Sequence, residues 1–531
     1  MSYKVLISDK FDAEGVSRLK NTSGFEVIYK GGHSKEDLIQ DLPEADCLIV
    51  RSATKVKGDV FNYAKKLKLI VRAGVGVDNI DINEASRRGI IVMNAPGGSS
   101  ITTAEHAIAM MLSLARNIPQ ANASMKQGKW EKSKFLGIEI TNKTLGVIGL
   151  GRIGREVVKR AKGLKMRVLG YDPYITAEHL THLEIDIVDL DTIFKESDFI
   201  TVHTPLTEST KHLINKDNIS KLKKGVRLIN CARGEIYDEQ ALVEGLKSGH
   251  IAGVALDVFS QEPIPADFPL LAFENCIMTP HLGASTAEAE FAVAMETIDE
   301  VIEFFTKGIA RNAINYPSID PDSMEYLKPY FIGGEKVGKL LASLMDSPIR
   351  TIQINYNGEI SKKRIDPIKM AVLKGALSLF VGEEGVNYVN APVLAKERGI
   401  RIVENFNEQT KDYISSIEVI FENEGSSPQK AKFTSVLNRP FIVNLNGFEL
   451  EFEPEGILLV IKNNDVPGVV GAIGTFLGNQ NINIASLELS RTSKGGKAKS
   501  VIKIDEFLSK EQLEKFQQLP NILSVKQVDL R

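Results

Sequence analysis

Cysteine is scarce in this sequence: 531 residues hold three, Cys47, Cys231 and Cys276. They lie far apart and without metal-ligand spacing, so there is no framework for a disulfide scaffold or a metal knuckle; reduced thiols in a cytosolic protein are expected, and no metal site. An excess of one charge is missing too. Lys and Arg number 65 against 68 Asp and Glu, a formal net charge of −3. No global field therefore favours nucleic acid or an anionic membrane, and any anionic substrate must be drawn by local Lys and Arg. Long apolar runs are absent, which removes a membrane-spanning helix. The opening Met1-Ser2-Tyr3-Lys4-Val5-Leu6-Ile7 is too short a run for a secretory leader and no small-residue cleavage site follows, so the expected location is cytoplasmic. Low-complexity tracts and short-period repeats are lacking as well.

What is present is ordinary for packed domains: 43% apolar and 25% charged residues. At roughly 150 residues per domain the length predicts about three or four domains, each with its own core.

Apolar runs at 4–7, 47–50, 69–71 and 90–93 read as strands with helical patterns between them, which predicts a parallel sheet covered by helices. A second α/β unit begins near Leu145, with strands expected at 144–148, 167–171, 199–203, 226–230, 251–256 and 276–279, as in a doubly wound nucleotide-binding fold. A buried helix is expected at 102–115 and another long helix at 287–305. The texture changes near Asn315-Tyr316-Pro317, where Pro317, Pro321 and Pro329 mark a linker or an extended approach to a new domain. Residues 331–450 mix strands and helices without a dinucleotide signature. The last eighty or so residues read βαββαβ, a ferredoxin-like order.

The clearest motif is Gly149-Leu150-Gly151-Arg152-Ile153-Gly154. It follows an apolar β-branched run and opens a helix. Gly149 allows the tight turn, Gly151 lets backbone approach a pyrophosphate, and Gly154 lets the helix pack on the strand. The helix N-terminus adds unpaired N–H groups for the anion. Asp172 follows the next strand, about twenty residues on, where a carboxylate bonds the ribose hydroxyls and repels a 2′-phosphate, favouring NAD over NADP. A plain turn-capping Asp before Pro173 is the alternative.

Three segments end later strands of this unit and so face one crevice: Asn230-Cys231-Ala232-Arg233-Gly234, Leu256-Asp257 through Glu262-Pro263, and Thr279-Pro280-His281-Leu282-Gly283. Oxidising a secondary alcohol by hydride transfer needs a base for the hydroxyl proton; histidine suits this, and a carboxylate orients it. A guanidinium grips a substrate carboxylate in two prongs and polarises the carbonyl. His281, Glu262 and Arg233 fit these roles, although each read alone is as readily a structural residue.

At these residues the second unit resembles the D-isomer-specific 2-hydroxyacid dehydrogenases: 144–154 (TLGVIGLGRIG), 230–236 (NCARGEI) and 280–285 (PHLGAS) are similar to that family's signature regions, in order and spacing. The resemblance implies NAD as cofactor and Arg233, Glu262 and His281 as the catalytic set. It implies Arg152 and Ile153 at the pyrophosphate, with Thr204, Ala232, Asp257 and Gly283 on the nicotinamide side. Residues 50–54 (VRSAT), 72–79 (RAGVGVDN) and Trp130 after Ser124-Met125-Lys126 resemble the branch of the family that oxidises 3-phosphoglycerate. From this follow Arg51 and Arg72 as phosphate and carboxylate contacts, backbone N–H groups at Val75 and Gly76, and Lys132 adding charge across a dimer contact. The family often has a hydroxyl residue where Val75 stands, so no side-chain contact to the cofactor is expected there.

The tail resembles an ACT module, a small-molecule sensor: Asp465-Val466-Pro467-Gly468-Val469 and Asn481-Ile482-Asn483-Ile484-Ala485 match its ligand loop and following strand. That implies L-serine as regulator, bound at an interface between two such modules, with Asp465 and Asn483 as contacts. The implied architecture is two doubly wound α/β domains, flavodoxin-like at 1–97 (completed by 287–314) and Rossmann at 98–286. An α+β intervening domain at 317–452 and a ferredoxin-like ACT domain at 455–531 follow, in a homo-oligomer, dimer or tetramer. Two alternatives stay open: a dehydrogenase of another D-2-hydroxy acid, and a non-enzymatic NAD sensor on the same fold.

Overall fold

The computed structural model describes residues 2–175, 183–317, 321–363, 365–410, 412–423, 425 and 427–531. These form four sheets. The first contains β1 (Tyr3–Ile7), β2 (Phe25–Tyr29), β3 (Cys47–Val50), β4 (Leu69–Arg72) and β5 (Ile91–Asn94), with α1 (Ala13–Asn21), α2 (Lys35–Asp41) and α3 (Ile82–Arg87) between them. All pairs are parallel and the order is β2-β1-β3-β4-β5, the flavodoxin-like order. Every residue of β3 is buried, as a strand covered on both faces requires. β2 is the strand the apolar runs did not reveal; it is an edge strand, only half-buried, and Glu26 interrupts it.

α4 (Ser100–Arg116) and α5 (Ile118–Lys126) lead to the second sheet. It holds β6 (Thr144–Ile148), β7 (Arg167–Tyr171), β8 (Asp186–Ile187), β9 (Phe199–Val202), β10 (Val226–Asn230), β11 (Ile251–Leu256) and β12 (Cys276–Met278), covered by α6 (Arg152–Gly163), α7 (Leu190–Glu196) and α8 (Glu239–Lys247). The order is β12-β11-β10-β9-β6-β7-β8. β8 adds a seventh strand to the six expected; at two residues it is too short to show a periodicity. The order reverses between β6 and β9, which opens a crevice at their C-terminal ends.

α9 (Ala287–Lys307) returns the chain to the first sheet, where Ile298 and Val301 pack with Val5, Ile7, Val71 and Met93. The segment after it lies antiparallel to β5: Met93 bridges Ala313, and Ile314 N donates to Val92 O at 2.8 Å.

α10 (Pro321–Leu344) corrects the reading of the prolines. Pro329 lies inside this helix rather than in an extended approach. An interior proline removes one helical bond and costs about 3 kcal/mol. Burial of Leu327, Tyr330, Val337, Leu340 and Leu341 in one core offsets this. The third sheet comprises β13 (Thr351–Gly358), β14 (Arg401–Asn407), β15 (Ser415–Glu422), β16 (Gln429–Val436), β17 (Arg439–Leu445) and β18 (Phe448–Phe452), with α11 (Asp366–Val381) and α12 (Ala391–Glu397). Its order is β14-β13-β15-β16-β17-β18; β13 and β14 run parallel and the other pairs antiparallel.

The fourth sheet is antiparallel: β19 (Ile457–Asn464), α13 (Val469–Asn479), β20 (Ile484–Arg491), β21 (Lys497–Ile504), α14 (Lys510–Gln517) and β22 (Ile522–Asp529), in the order β20-β21-β19-β22. This is the ferredoxin-like βαββαβ arrangement expected. No helix among the described residues is long and apolar enough to cross a membrane.

Candidate active site between the two parallel sheets

β6 is buried at all five positions, and the glycine loop leaves its end. Gly149 has φ +92, and a Cβ on it would sit 2.6 Å from His203 O. A Cβ on Gly154 would meet Gly149 O at 2.0 Å, so the start of α6 presses on the loop as the motif requires. A Cβ on Gly151 would meet nothing within 4 Å, so the loop faces open space at that point. The first turn of α6 has neither a side-chain cap nor an acidic residue, so N–H groups at Arg152 and Ile153 are available there. Beside the loop, Thr204 Oγ1 is buried without a partner among the described residues. An open cradle, an uncapped helix start and an orphaned hydroxyl fit a dinucleotide. Asp172 borders this space: Oδ2 accepts from Leu150 N and Oδ1 from Tyr174 N, both at 2.9 Å.

The ends of β11 and β12 build the acid–base pair. Asp257 is 0% exposed. Its carboxylate accepts from Thr279 Oγ1 at 2.6 Å and from Leu282 N and Gly283 N at 2.7 Å, while its carbonyl accepts from His281 N at 3.0 Å. These bonds hold His281 at φ +55, a conformation that costs a non-glycine residue roughly 1 kcal/mol. His281 Nδ1 lies 2.8 Å from Glu262 Oε2, and Glu262 Oε1 accepts from Phe259 N at 3.1 Å. Partial burial raises the Glu262 pKa, but the bond and charge of His281 outweigh it and hold the group below its ordinary value. An anion facing Nδ1 keeps the proton on that nitrogen and leaves Nε2 for chemistry.

Arg233 spans the two units. Leaving β10, it donates from Nε to Asp78 Oδ2 at 2.9 Å and from Nη1 to Ala232 O at 2.6 Å. A Cβ on Gly76 would lie 1.7 Å from Arg233 Nη2, so only glycine admits the guanidinium there. Arg72, at the end of β4, makes no ion pair among the described residues, and its Nε is buried without a partner. Burial first, then the neighbouring Arg233, lowers its pKa to about 10, which still leaves it charged at neutral pH. Asp78 and Asp9 act on it only from a distance, and a shielded guanidinium with no direct ion pair suits an incoming anion. Val75 N and Gly76 N donate no hydrogen bond among the described residues.

Of the expected substrate contacts, Arg51 lies near enough to Arg72 to act on its charge, whereas Lys132 does not join these groups. Arg51 is occupied, pairing with Glu290 at 2.9 Å and reaching Lys10 O at 3.4 Å. Lys132 is exposed on a turn (Lys132–Phe135) and bonds none of these groups. Both backbone groups of Ala232 are engaged: its N–H donates to Asn230 Oδ1 at 2.9 Å and its carbonyl accepts from Arg233 Nη1. Sequence reasoning missed Asp78 and His106. The signal for His106 was a lone imidazole on a mostly apolar helix; Asp78 lay within the 72–79 motif, but nothing there named its partner, which comes from the other sheet.

The two expected serine contacts do not meet within one chain. Asp465 Oδ2 accepts from Arg491 Nη1 at 3.0 Å and Gly495 N at 2.9 Å. Asn483 Nδ2 donates to Asp505 Oδ2 at 2.9 Å. The first cluster is at the C-terminal end of β20 and the second at its start. Eight residues separate them, about 25 Å at a strand's rise. A site using both is incomplete in a single chain.

Residues 108–283 match the model of the D-isomer specific 2-hydroxyacid dehydrogenase NAD-binding domain, 326–444 that of the D-3-phosphoglycerate dehydrogenase intervening domain, and 457–521 the ACT domain. A D-3-phosphoglycerate dehydrogenase of Methanocaldococcus jannaschii is 43% identical over 99% of this chain and 100% of that protein. The chain belongs to the D-3-phosphoglycerate dehydrogenase family. The relative of that name from Bacillus subtilis is also 43% identical, over 99% of this chain and 100% of its own. Among solved structures, D-lactate dehydrogenase from Aquifex aeolicus with NAD and lactic acid matches with TM-score 0.52 and 32% identity, covering 59% of this chain and 100% of that one. The glycine loop and the 279–283 loop thus lie in an NAD-binding domain of this family.

Proposed function

We propose that the protein oxidises 3-phospho-D-glycerate to 3-phosphohydroxypyruvate with NAD, the first step of L-serine biosynthesis. The observation that carries this reading is Arg72: a mostly buried cation that makes no direct ion pair among the described residues, beside Arg233 and the N–H groups of Val75 and Gly76, which donate no hydrogen bond among the described residues. Gly149, Gly151, Arg152, Ile153 and Gly154 would hold the pyrophosphate, Asp172 the ribose, and Thr204, Ala232, Asp257 and Gly283 the nicotinamide side. NAD held there would supply the acceptor for the hydride that leaves C2. Arg233 grips the substrate carboxylate and polarises the C2 oxygen. Arg72, the N–H groups of Val75 and Gly76, and Arg51 once released from Glu290, share the remaining anionic oxygens. His281 Nε2 accepts the hydroxyl proton, and Glu262 stabilises the imidazolium that results. The test is NADH formation with 3-phosphoglycerate set against lactate, glycerate and 2-hydroxyglutarate; a preference for any of the three overturns the substrate.

The same proposal divides the chain at 1–97 with 287–314, 98–286, 317–452 and 455–531. It places the protein in the cytoplasm, where its three buried free cysteines fit a reducing compartment. Asp172→Ala is expected to weaken NAD about tenfold and narrow its preference over NADP, because a 2′-phosphate no longer meets a carboxylate. Steady-state constants for both cofactors check this; an unchanged preference would leave Asp172 a turn residue.

Serine regulation takes a second copy. Two fourth sheets set antiparallel side by side would bring Asp465 of one chain near Asn483 of the other, and Lys132 would likewise act across a homo-oligomer contact. Calorimetry with L-serine is expected to show binding to the intact protein and its loss in Asp465→Ala. Serine binding that survives in Asp465→Ala would remove that residue from the site.

A further inference from the structure

α4 passes beneath the second sheet, where Ala104 and Ala107 pack with Ala255 and Ile277. His106 stands on this helix with its side chain 19% exposed. Its Nε2 is 3.1 Å from Thr279 Oγ1 and 3.2 Å from Asp257 Oδ1. Thr279 has one hydroxyl proton, directed at the Asp257 carboxylate 2.6 Å away; the other acceptor in reach, Met110 Sδ, is weak and 3.9 Å off. Both atoms facing Nε2 are therefore acceptors, and Nε2 must carry the proton.

We infer that His106 is a positioning residue for the reaction: its Nε2–H, donated to Thr279 and Asp257, fixes the carboxylate that fastens the 279–283 loop, and so sets where His281 stands and how the nicotinamide side of the site is charged. This rests on the roles proposed above for His281 and Asp257. Donors crowd one enclosed carboxylate. Thr279 Oγ1, Leu282 N, Gly283 N and His106 all converge on it, and His281 N is tied to the carbonyl of the same residue. Removing His106 takes away one donor and frees the Thr279 hydroxyl to turn.

The groups facing Asp257 are His106 from α4, Thr279 and His281 from the segment after β12, Glu262 from the segment after β11, and Cys231 from the end of β10. Burial raises the Asp257 pKa; the His106 bond, then those of Thr279 and Leu282, bring it below the ordinary value. Cys231 stays neutral because burial pushes its thiol up, and the Glu262 charge opposes ionisation of Asp257. Loss of the His106 donor therefore moves the Asp257 pKa upward, and the acidic limit of cofactor binding moves to higher pH.

The experiment compares His106→Leu, which fills similar space without a donor, with His106→Gln, whose amide N–H reaches the Nε2 position. NADH affinity is measured by calorimetry across pH, alongside thermal midpoints and kcat. His106→Leu is expected to bind NADH about 10- to 100-fold more weakly at neutral pH, the size a hydrogen bond to a charged group carries, with the acid limit displaced upward. His106→Gln should recover most of that affinity, and both should melt near the parent temperature. Parental affinity and pH limit in His106→Leu overturn the inference; so do equal losses in both variants with lowered midpoints, which would mark a packing role. NADH binding is read without any hydroxy acid, so a wrong substrate would show separately, as inactivity on 3-phosphoglycerate.

Discussion

Replacing His281 with alanine is expected to lower turnover by about 10² to 10⁴-fold, the contribution of a positioned acid–base group, while NADH binds nearly as before. The division follows from geometry. The imidazole projects half-exposed from a loop whose own fastening runs through backbone N–H groups to Asp257, so losing the ring leaves those bonds in place. Glu262→Gln acts on the same step, because it removes the anion 2.8 Å from Nδ1. Single-turnover hydride transfer and NADH calorimetry on the alanine variant check this. Near-normal turnover, or loss of cofactor binding equal to the loss of rate, would contradict the role of His281.

Arg72→Leu is expected to reduce kcat/KM for 3-phosphoglycerate roughly 10²-fold, mostly through KM, since two bonds from one guanidinium to an anion are lost. The same change should not lower the thermal midpoint. Arg72 makes no direct ion pair among the described residues and its Nε has no partner, so an apolar side chain of similar reach removes a buried charge that Asp78 and Asp9 compensate only from a distance. A large fall in the midpoint, with KM unchanged, would show that Arg72 supports the fold instead.

The parts of the site legible in the sequence are those whose chemistry is local. Gly149 and Gly154 have to be glycine because backbone oxygen lies where their Cβ would go, and that need is written in the spacing of one loop. The central strands of both parallel sheets were legible because strands buried on two faces read as unbroken apolar runs. β2 and β8 escaped because one is a half-exposed edge and the other two residues long. Contacts between distant segments escaped for a different reason: nothing in the local pattern around Asp78 announces Arg233, 155 residues away. Nor does anything near Arg51 announce Glu290. Asp465 and Asn483 follow from motif alone; β20 holds them at opposite ends, so a site using both takes two modules, the interface expected for serine. Pro329 misled because proline marks helix ends in isolation, whereas here a buried helix face tolerates the missing bond.

The most direct test of the substrate reading compares 3-phospho-D-glycerate with D-glycerate, which differs only by the phosphate. With saturating NAD, kcat/KM for the phosphorylated acid should exceed that for D-glycerate by at least about 10³-fold, as expected of a site built to pair a polar group that the analogue lacks. In Arg72→Leu the ratio should shrink. Equal efficiencies for the two acids, or a preference for D-glycerate, would contradict an arginine-lined phosphate site in this cleft.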